Sequence, residues 1–344
     1  MWDCKDISGF ALLSRRSGTS GENFEVLTTG EVACRPCDIE PLLHPQTESD
    51  YNAVAQGFLG DQFIYGSVVH DVHPRGFGVD SALNTYCDDD SVDLDDDDFI
   101  AVKTASFARS RRFTRNEEWC FIEHFQSNPA TPSSPFGSNA SSTPSSVSLD
   151  DSPGFTIVMS SIPDGELSAG KMADGQVVQL HGILAAYLVE PLPQTVGCQG
   201  PRVRVSFHAT FNAAEPNRER YADSQTVRER LLSIARSLHR LPELVQKRQC
   251  QRSQMSLGGG EVGQERETPN SRCIACTKRL RMRLLSAPTR RSKRCQMCLY
   301  RACASCWSKE KVSTFNGHST TMAVCRRCHE NIGSRDFSHI HLTC

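Results

Sequence analysis

The chain has 344 residues, 38% of them hydrophobic, with a formal net charge of −2 and a mean hydropathy of −0.41. This is a polar chain with room for two domains, and the absence of any run of about 18 apolar residues excludes a membrane-spanning helix. The near-neutral total hides a division: residues 271–344 hold 15 Lys/Arg and 3 Asp/Glu, a net +12, leaving −14 for the rest. A stretch so small and so basic is expected to meet an anionic surface, either lipid head groups or nucleic acid.

Residues 1–54 are poorly patterned. The opening segment carries an early acid and lacks the apolar core of a signal peptide, so a reducing, cytoplasmic setting is expected. Cys34 and Cys37 form a CxxC without the strand–helix context of a redox motif and read as a stray pair. Strand signals begin at residues 63–70 (FIYGSVVH) and continue at 99–104 and 118–125. Between them, residues 88–98 hold eight Asp in eleven positions, which reads as a solvated loop without the glycine and glutamate of a calcium loop. The Ser/Pro-rich stretch 127–153 reads as a disordered insertion inside one β-rich domain, because strand signals resume at 155–161, 177–190 and 203–211. In the last of these, Val203, Val205, Phe207, Ala209 and Phe211 alternate onto one face.

The period then changes. Val227, Leu231, Ile234, Leu238, Leu241 and Val245 recur at spacings of four and three, one stripe of an amphipathic helix, while Arg228, Glu229, Arg230, Arg236 and Arg240 take the other faces. Thr226 with Glu229 is a candidate capping box, and Pro242 is expected to end or kink the helix after Leu241. Residues 248–270 then read as a flexible, glycine-containing linker. His70, His73, His124, His181 and His208 fall among the strands without a catalytic constellation, and no enzyme is expected.

The ordered signals in residues 117–124, 184–193 and 203–211, followed by the helix, resemble START-like domains. Over residues 55–247, that resemblance implies an α+β helix-grip fold: an antiparallel sheet gripping a long C-terminal helix, with a cavity able to hold one hydrophobic ligand.

Residues 273–328 hold eight cysteines in four CxxC pairs. Thiolate is a preferred zinc ligand, and eight of them make two closed tetrahedral sites with no open position for a catalytic water. His318 and His329 stand outside this register. The spacing C-x2-C-x18-C-x2-C-x4-C-x2-C-x18-C-x2-C resembles the FYVE-type zinc finger over residues 271–332, with 333–344 as a tail. The resemblance implies two Zn2+ in a cross-brace: Cys273, Cys276, Cys303 and Cys306 on the first, Cys295, Cys298, Cys325 and Cys328 on the second.

It also implies lipid contacts. In place of the family's RRHHCR-type patch stands Arg290-Arg291-Ser292-Lys293-Arg294-Cys295: Arg291 matches its arginine, and Lys293 and Arg294 stand at its two histidines. Leu284 and Leu285 fall where such fingers insert a loop into the bilayer. No Trp precedes Cys273, and Ala323-Val324-Cys325 stands where the family has RVC. The expected function is therefore a non-enzymatic peripheral membrane adaptor. It would bind acidic lipid, with phosphatidylinositol 3-phosphate as the family's head group, on endosomal or other anionic membranes. The alternative is a cross-brace protein-interaction module of RING or PHD type, possessing ubiquitin-ligase activity in some families; the lack of a C-x-H-x2-C spacing weighs against it. Nucleic acid ranks last as a partner, since the arginines are scattered rather than set along one recognition helix.

Overall fold

The computed structural model describes residues 2–17, 23–72, 99–110, 114–128, 153–163, 172, 177–193, 200–213, 220–257, 270–280, 292–313 and 319–333. The acidic run at 88–98, most of the Ser/Pro-rich insertion and His73 lie outside them.

Residues 1–54, which show little pattern as sequence, build three strands and two helices. Strands β1 (Asp3–Ile7), β2 (Phe10–Ser17) and β3 (Asn23–Val32) form an antiparallel meander. The β1–β2 turn is Ser8-Gly9, both at positive φ (52° and 84°), the geometry that matches strand twist in a two-residue hairpin. Strand β3 alternates buried and partly exposed positions, but threonines and glutamates among its apolar residues blur that period in the sequence. Helix α1 (Pro36–Leu43) starts with Pro36 in its first turn and with Asp38 Oδ2 accepting from the Arg35 N–H (3.2 Å). Helix α2 (Glu48–Leu59) is capped by Thr47, whose Oγ1 accepts from the Asp50 N–H (3.1 Å).

Strands β4 (Phe63–Val72), β5 (Phe99–Phe107), β6 (Asn116–Ser127), β7 (Phe155–Ser161), β8 (Val177–Leu180), β9 (Ile183–Leu192) and β10 (Arg202–Phe211) complete the sheet. Its order is β1-β2-β3-β10-β9-β7-β6-β5-β4, antiparallel throughout, with the short β8 lying parallel to the first residues of β6. The apolar run at 177–190 is thus two strands rather than one. Gly182 sits between them at φ +60°, and a Cβ there would lie 2.3 Å from the Asn212 carbonyl oxygen. In β10 the inward residues Val203, Val205, Phe207, Ala209 and Phe211 are all buried, and His208 points away, 2.8 Å from Glu25 Oε1.

Helix α3 (Ser224–Ser237) lies on the concave face against β3 and β10. All six residues of its expected stripe, from Val227 to Val245, are buried. Its cap is Asp223, whose Oδ1 accepts from the Thr226 N–H (2.7 Å), not the Thr226/Glu229 box. Proline acts as expected but earlier: residues 238–240 tighten into a 3-10 turn, and Pro242 falls in the first turn of a new helix, α4 (Leu241–Leu257). That helix runs through the first ten residues of the expected linker.

Arg230 does not face solvent. It is fully buried, with Nε 2.7 Å from Glu117 Oε2 and further bonds to the Ala108 carbonyl and Gln62 Oε1. This ties α3 to the β5–β6 end of the sheet.

Beside α3, helix α1 packs on α4 and β9, and α2 packs on α3 and β4. Among these elements is an apolar cavity of about 110 Å³, walled by Tyr51, Val54 and Phe58 of α2, Phe121 and Glu123 of β6, and Ile234 of α3.

A candidate two-metal centre beside a buried polar cluster

The cysteine-rich segment is held by two short ladders. Strand β11 (Lys293–Arg294) pairs with β12 (Arg301–Ala302), and β13 (Trp307–Ser313) pairs with β14 (Ser319–Cys325); helix α5 (Arg326–Gly333) follows. Two quartets of thiols converge on this frame. One is Cys273, Cys276, Cys303 and Cys306; the other is Cys295, Cys298, Cys325 and Cys328; within each, all sulfurs lie within 4.8 Å of one another.

The two quartets are built alike. Each ligand of the second lies 22 residues after its counterpart in the first. In the first knuckle the Cys273 N–H donates to the Lys278 carbonyl and the Thr277 N–H returns to the Cys273 carbonyl, both at 2.8 Å. In the second, Cys295 N–H reaches the Tyr300 carbonyl at 2.8 Å and Leu299 N–H the Cys295 carbonyl at 3.0 Å. Thr277 and Leu299 both take positive φ (58° and 63°), which folds each CxxC into a tight turn with its sulfurs on one side. A backbone N–H of the other pair then points at the first sulfur of each site: Cys303 N to Cys273 Sγ at 3.3 Å, Cys325 N to Cys295 Sγ at 3.2 Å. Such bonds favour thiolate over thiol.

The donor set fits zinc. Tetrahedral Zn–S bonds of about 2.3 Å set neighbouring sulfurs roughly 3.8 Å apart; Cys276–Cys303 and Cys298–Cys325 are 3.6 and 3.9 Å apart. Without a cation, crowded sulfurs resist joint ionisation: burial, with the nearby Cys273 charge, pushes the Cys306 thiol up to about 12. Cys295 moves the other way, its thiolate held by bonds from Cys298, Cys325 and Cys328. A divalent ion removes that conflict by taking all four as thiolates.

Of the residues considered for lipid contact, Lys293 and Arg294 lie on β11; Arg290, Arg291, Leu284 and Leu285 lie outside the described residues. Lys293 is exposed, its ammonium 4.0 Å above the Trp307 ring. Arg294 turns inward enough for its Nε to donate to the Leu299 carbonyl (2.8 Å), bracing the second knuckle. Arg301, across the ladder from Arg294, is exposed and was not singled out in the sequence. Its signal was available, because it sits in the four-residue spacer between the two central pairs.

A second cluster lies in the sheet. Lys103 and Glu123, on neighbouring strands, are 1% and 4% exposed and form a close ion pair; His44 Nδ1 lies 3.0 Å from the same Glu123 oxygen. The His44 ring stacks on Phe125 at 4.4 Å. Burial pushes Glu123 up, but the Lys103 charge and the His44 bond outweigh it and hold the carboxyl below its ordinary value. Neither Lys103 nor His44 was legible as a site residue, since each looks in isolation like a solvated polar residue.

No protein-family model matches the chain, and no curated protein matches it. Among the solved structures that resemble it are the lipid transfer and protein localization domain of human StarD13 (DLC2), 12% identical over 71% of this chain and 88% of that one, TM-score 0.37, and human STARD10, 10% identical over 73% and 78%, TM-score 0.37.

Proposed function

We propose that the chain is a non-enzymatic, zinc-dependent peripheral membrane protein whose cysteine-rich module is a FYVE-like finger and whose sheet and helices form a START-like body. The observation that carries this reading is the β11–β12 ladder. It carries the exposed cations of Lys293 and Arg301 on two paired strands that lead into Cys295 of one thiol quartet and Cys303 of the other. Two closed Cys4 sites supply rigidity rather than chemistry, because zinc surrounded by four sulfurs has no position for water. The partner is the acidic face of a cytoplasmic membrane, endosomal for the head group that such fingers read. Attraction to acidic lipid in general rests on charge alone, and phosphatidylinositol 3-phosphate is the specific form of the proposal.

The test is flotation of the zinc-loaded full chain with vesicles of phosphatidylcholine alone, with phosphatidylserine, or with phosphatidylinositol 3-phosphate. Each basic residue near an anionic leaflet contributes about 1 kcal/mol, so Lys293→Ala with Arg301→Ala should weaken binding roughly 30-fold. Equal recovery on neutral and anionic vesicles would overturn the proposal. Binding to phosphatidylserine and the phosphoinositide alike at matched charge would restrict it to non-selective attraction.

A second reading concerns the body, and the Glu123–Lys103–His44 cluster favours it. Glu123 lines the apolar cavity, offering a polar end to a hydrophobic ligand. At about 110 Å³ the cavity is below the roughly 300–1,000 Å³ of drug-sized sites, so it takes a short chain unless a wall moves. A small alkanol such as 1-hexanol should raise the melting temperature of the full chain; no rise at millimolar concentration would speak against it.

A further inference from the structure

The face of β4 and β5 that points away from the helices is polar yet buried. Ser67, Thr104 and Ser106 are at most 1% exposed, although strand neighbours of the inward-facing Lys103 and Ala105 should meet solvent. The finger supplies part of the cover. Arg327, between the zinc ligands Cys325 and Cys328, is 3% exposed; its Nε donates to Ser67 Oγ (3.1 Å) and its Nη2 to Thr104 Oγ1 (2.7 Å). The guanidinium lies 4.7 Å over the Tyr65 ring, which also meets Tyr300 of the finger in a T-shaped contact at 4.8 Å. At the first quartet, Asn116 of β6 donates to Thr277 Oγ1 (2.6 Å).

These contacts continue around the sheet edge into α2. The Tyr65 hydroxyl bonds to the Glu48 carboxylate, whose other oxygen accepts the Val68 N–H (3.2 Å). Asn52 both donates to and accepts from the Gly66 backbone (2.8 and 2.9 Å), covering the free edge of β4. Tyr51, a wall of the apolar cavity, donates to the carbonyl of Thr104, the residue that Arg327 holds from the opposite face (3.4 Å). Gly66 lets its ring approach so closely: a Cβ there would lie 2.3 Å from Tyr51 Cε1.

We propose that the finger is a metal-dependent clamp on α2, with Arg327 as its positioning residue, and that it holds α2 in place as a wall of the apolar cavity. Zinc at Cys325 and Cys328 fixes the backbone on both sides of Arg327; losing it frees the arginine, then Tyr65 and Glu48, then the helix that roofs the cavity. The occupant of this surface is the chain's own finger. The clamp requires a metal in the second quartet but not the lipid reading, so the two stand or fall separately.

The test is amide hydrogen exchange of the full chain with zinc content counted in parallel. Three samples are compared with the wild type: wild type after chelation, Arg327→Ala, and Ser67→Ala with Thr104→Val, which alters the sheet and leaves the finger intact. Provided two zincs per chain are retained, both variants should exchange on the order of tenfold faster in residues 48–59 and 63–72, with residues 10–32 unchanged. Nile red fluorescence should rise in step as α2 loosens and exposes more of the apolar lining. Chelated wild type should show the same local change. Unchanged exchange in α2 and β4 in the zinc-retaining variants would overturn the clamp, as would acceleration spread evenly over the whole sheet.

Discussion

Glu123 illustrates how burial and pairing divide the work at a single residue. Its folded value lies below the ordinary carboxyl value of 4.5 because Lys103 and His44 favour the charged form. A depressed carboxyl contributes stability that is fully present above its unfolded value and is lost as pH falls through the folded one. Urea unfolding should therefore show wild type and Glu123→Gln furthest apart near pH 7 and converging only as pH falls below the ordinary carboxyl value of 4.5 and through the depressed folded one. A gap independent of pH would mean that the Glu123 carboxyl titrates alike in the folded and unfolded chain. The gap at neutral pH should reach about 3–5 kcal/mol, because the substitution leaves the Lys103 ammonium buried without its counter-charge.

At the scale of the element, periodicity was a reliable guide wherever one face was buried and the other wet. The stripe from Val227 to Val245 and the alternation of β10 are of that kind, and both stand as read. It failed where a polar residue was buried by a partner distant in sequence. Arg230 follows the polar phase of its helix, and only the fold brings Glu117, 113 positions away, to meet it. Strand β5 loses its alternation at Thr104 and Ser106 because the finger and β6 supply partners on its outer face. The first 54 residues were opaque for a related reason: short strands and helices with mixed faces acquire their pattern from the sheet that they join. Arg230→Ala should destabilise the chain by about 3–5 kcal/mol in urea, and Glu117→Gln added to it should recover part of that loss. Strictly additive costs would show that the pair is not coupled.

At the scale of the whole molecule, the thiol register was the most legible feature, since ligand spacing survives without knowledge of the surrounding fold. The 22-residue offset between the two quartets makes the finger an internal duplication of one knuckle-and-strand plan. What spacing does not convey is where the finger rests. Arg327 and Tyr300 read as ordinary residues of a basic module, yet both pack against Tyr65 of the sheet. A module with so little apolar core would depend on metals in its two thiol quartets, each contributing an apparent ~10–16 kcal/mol, so the proposed membrane attachment and the proposed clamp should both follow zinc occupancy.

The most direct measurement is therefore native mass spectrometry of the full chain expressed with zinc. Two zinc ions per chain are expected, falling to one for Cys295→Ser with Cys325→Ser and to one for Cys273→Ser with Cys303→Ser, since each pair removes ligands from a single quartet. A chain carrying no zinc, or a variant pair drawn from one quartet that loses both ions while the other quartet's cysteines are intact and the finger remains folded, would contradict two independent interleaved sites.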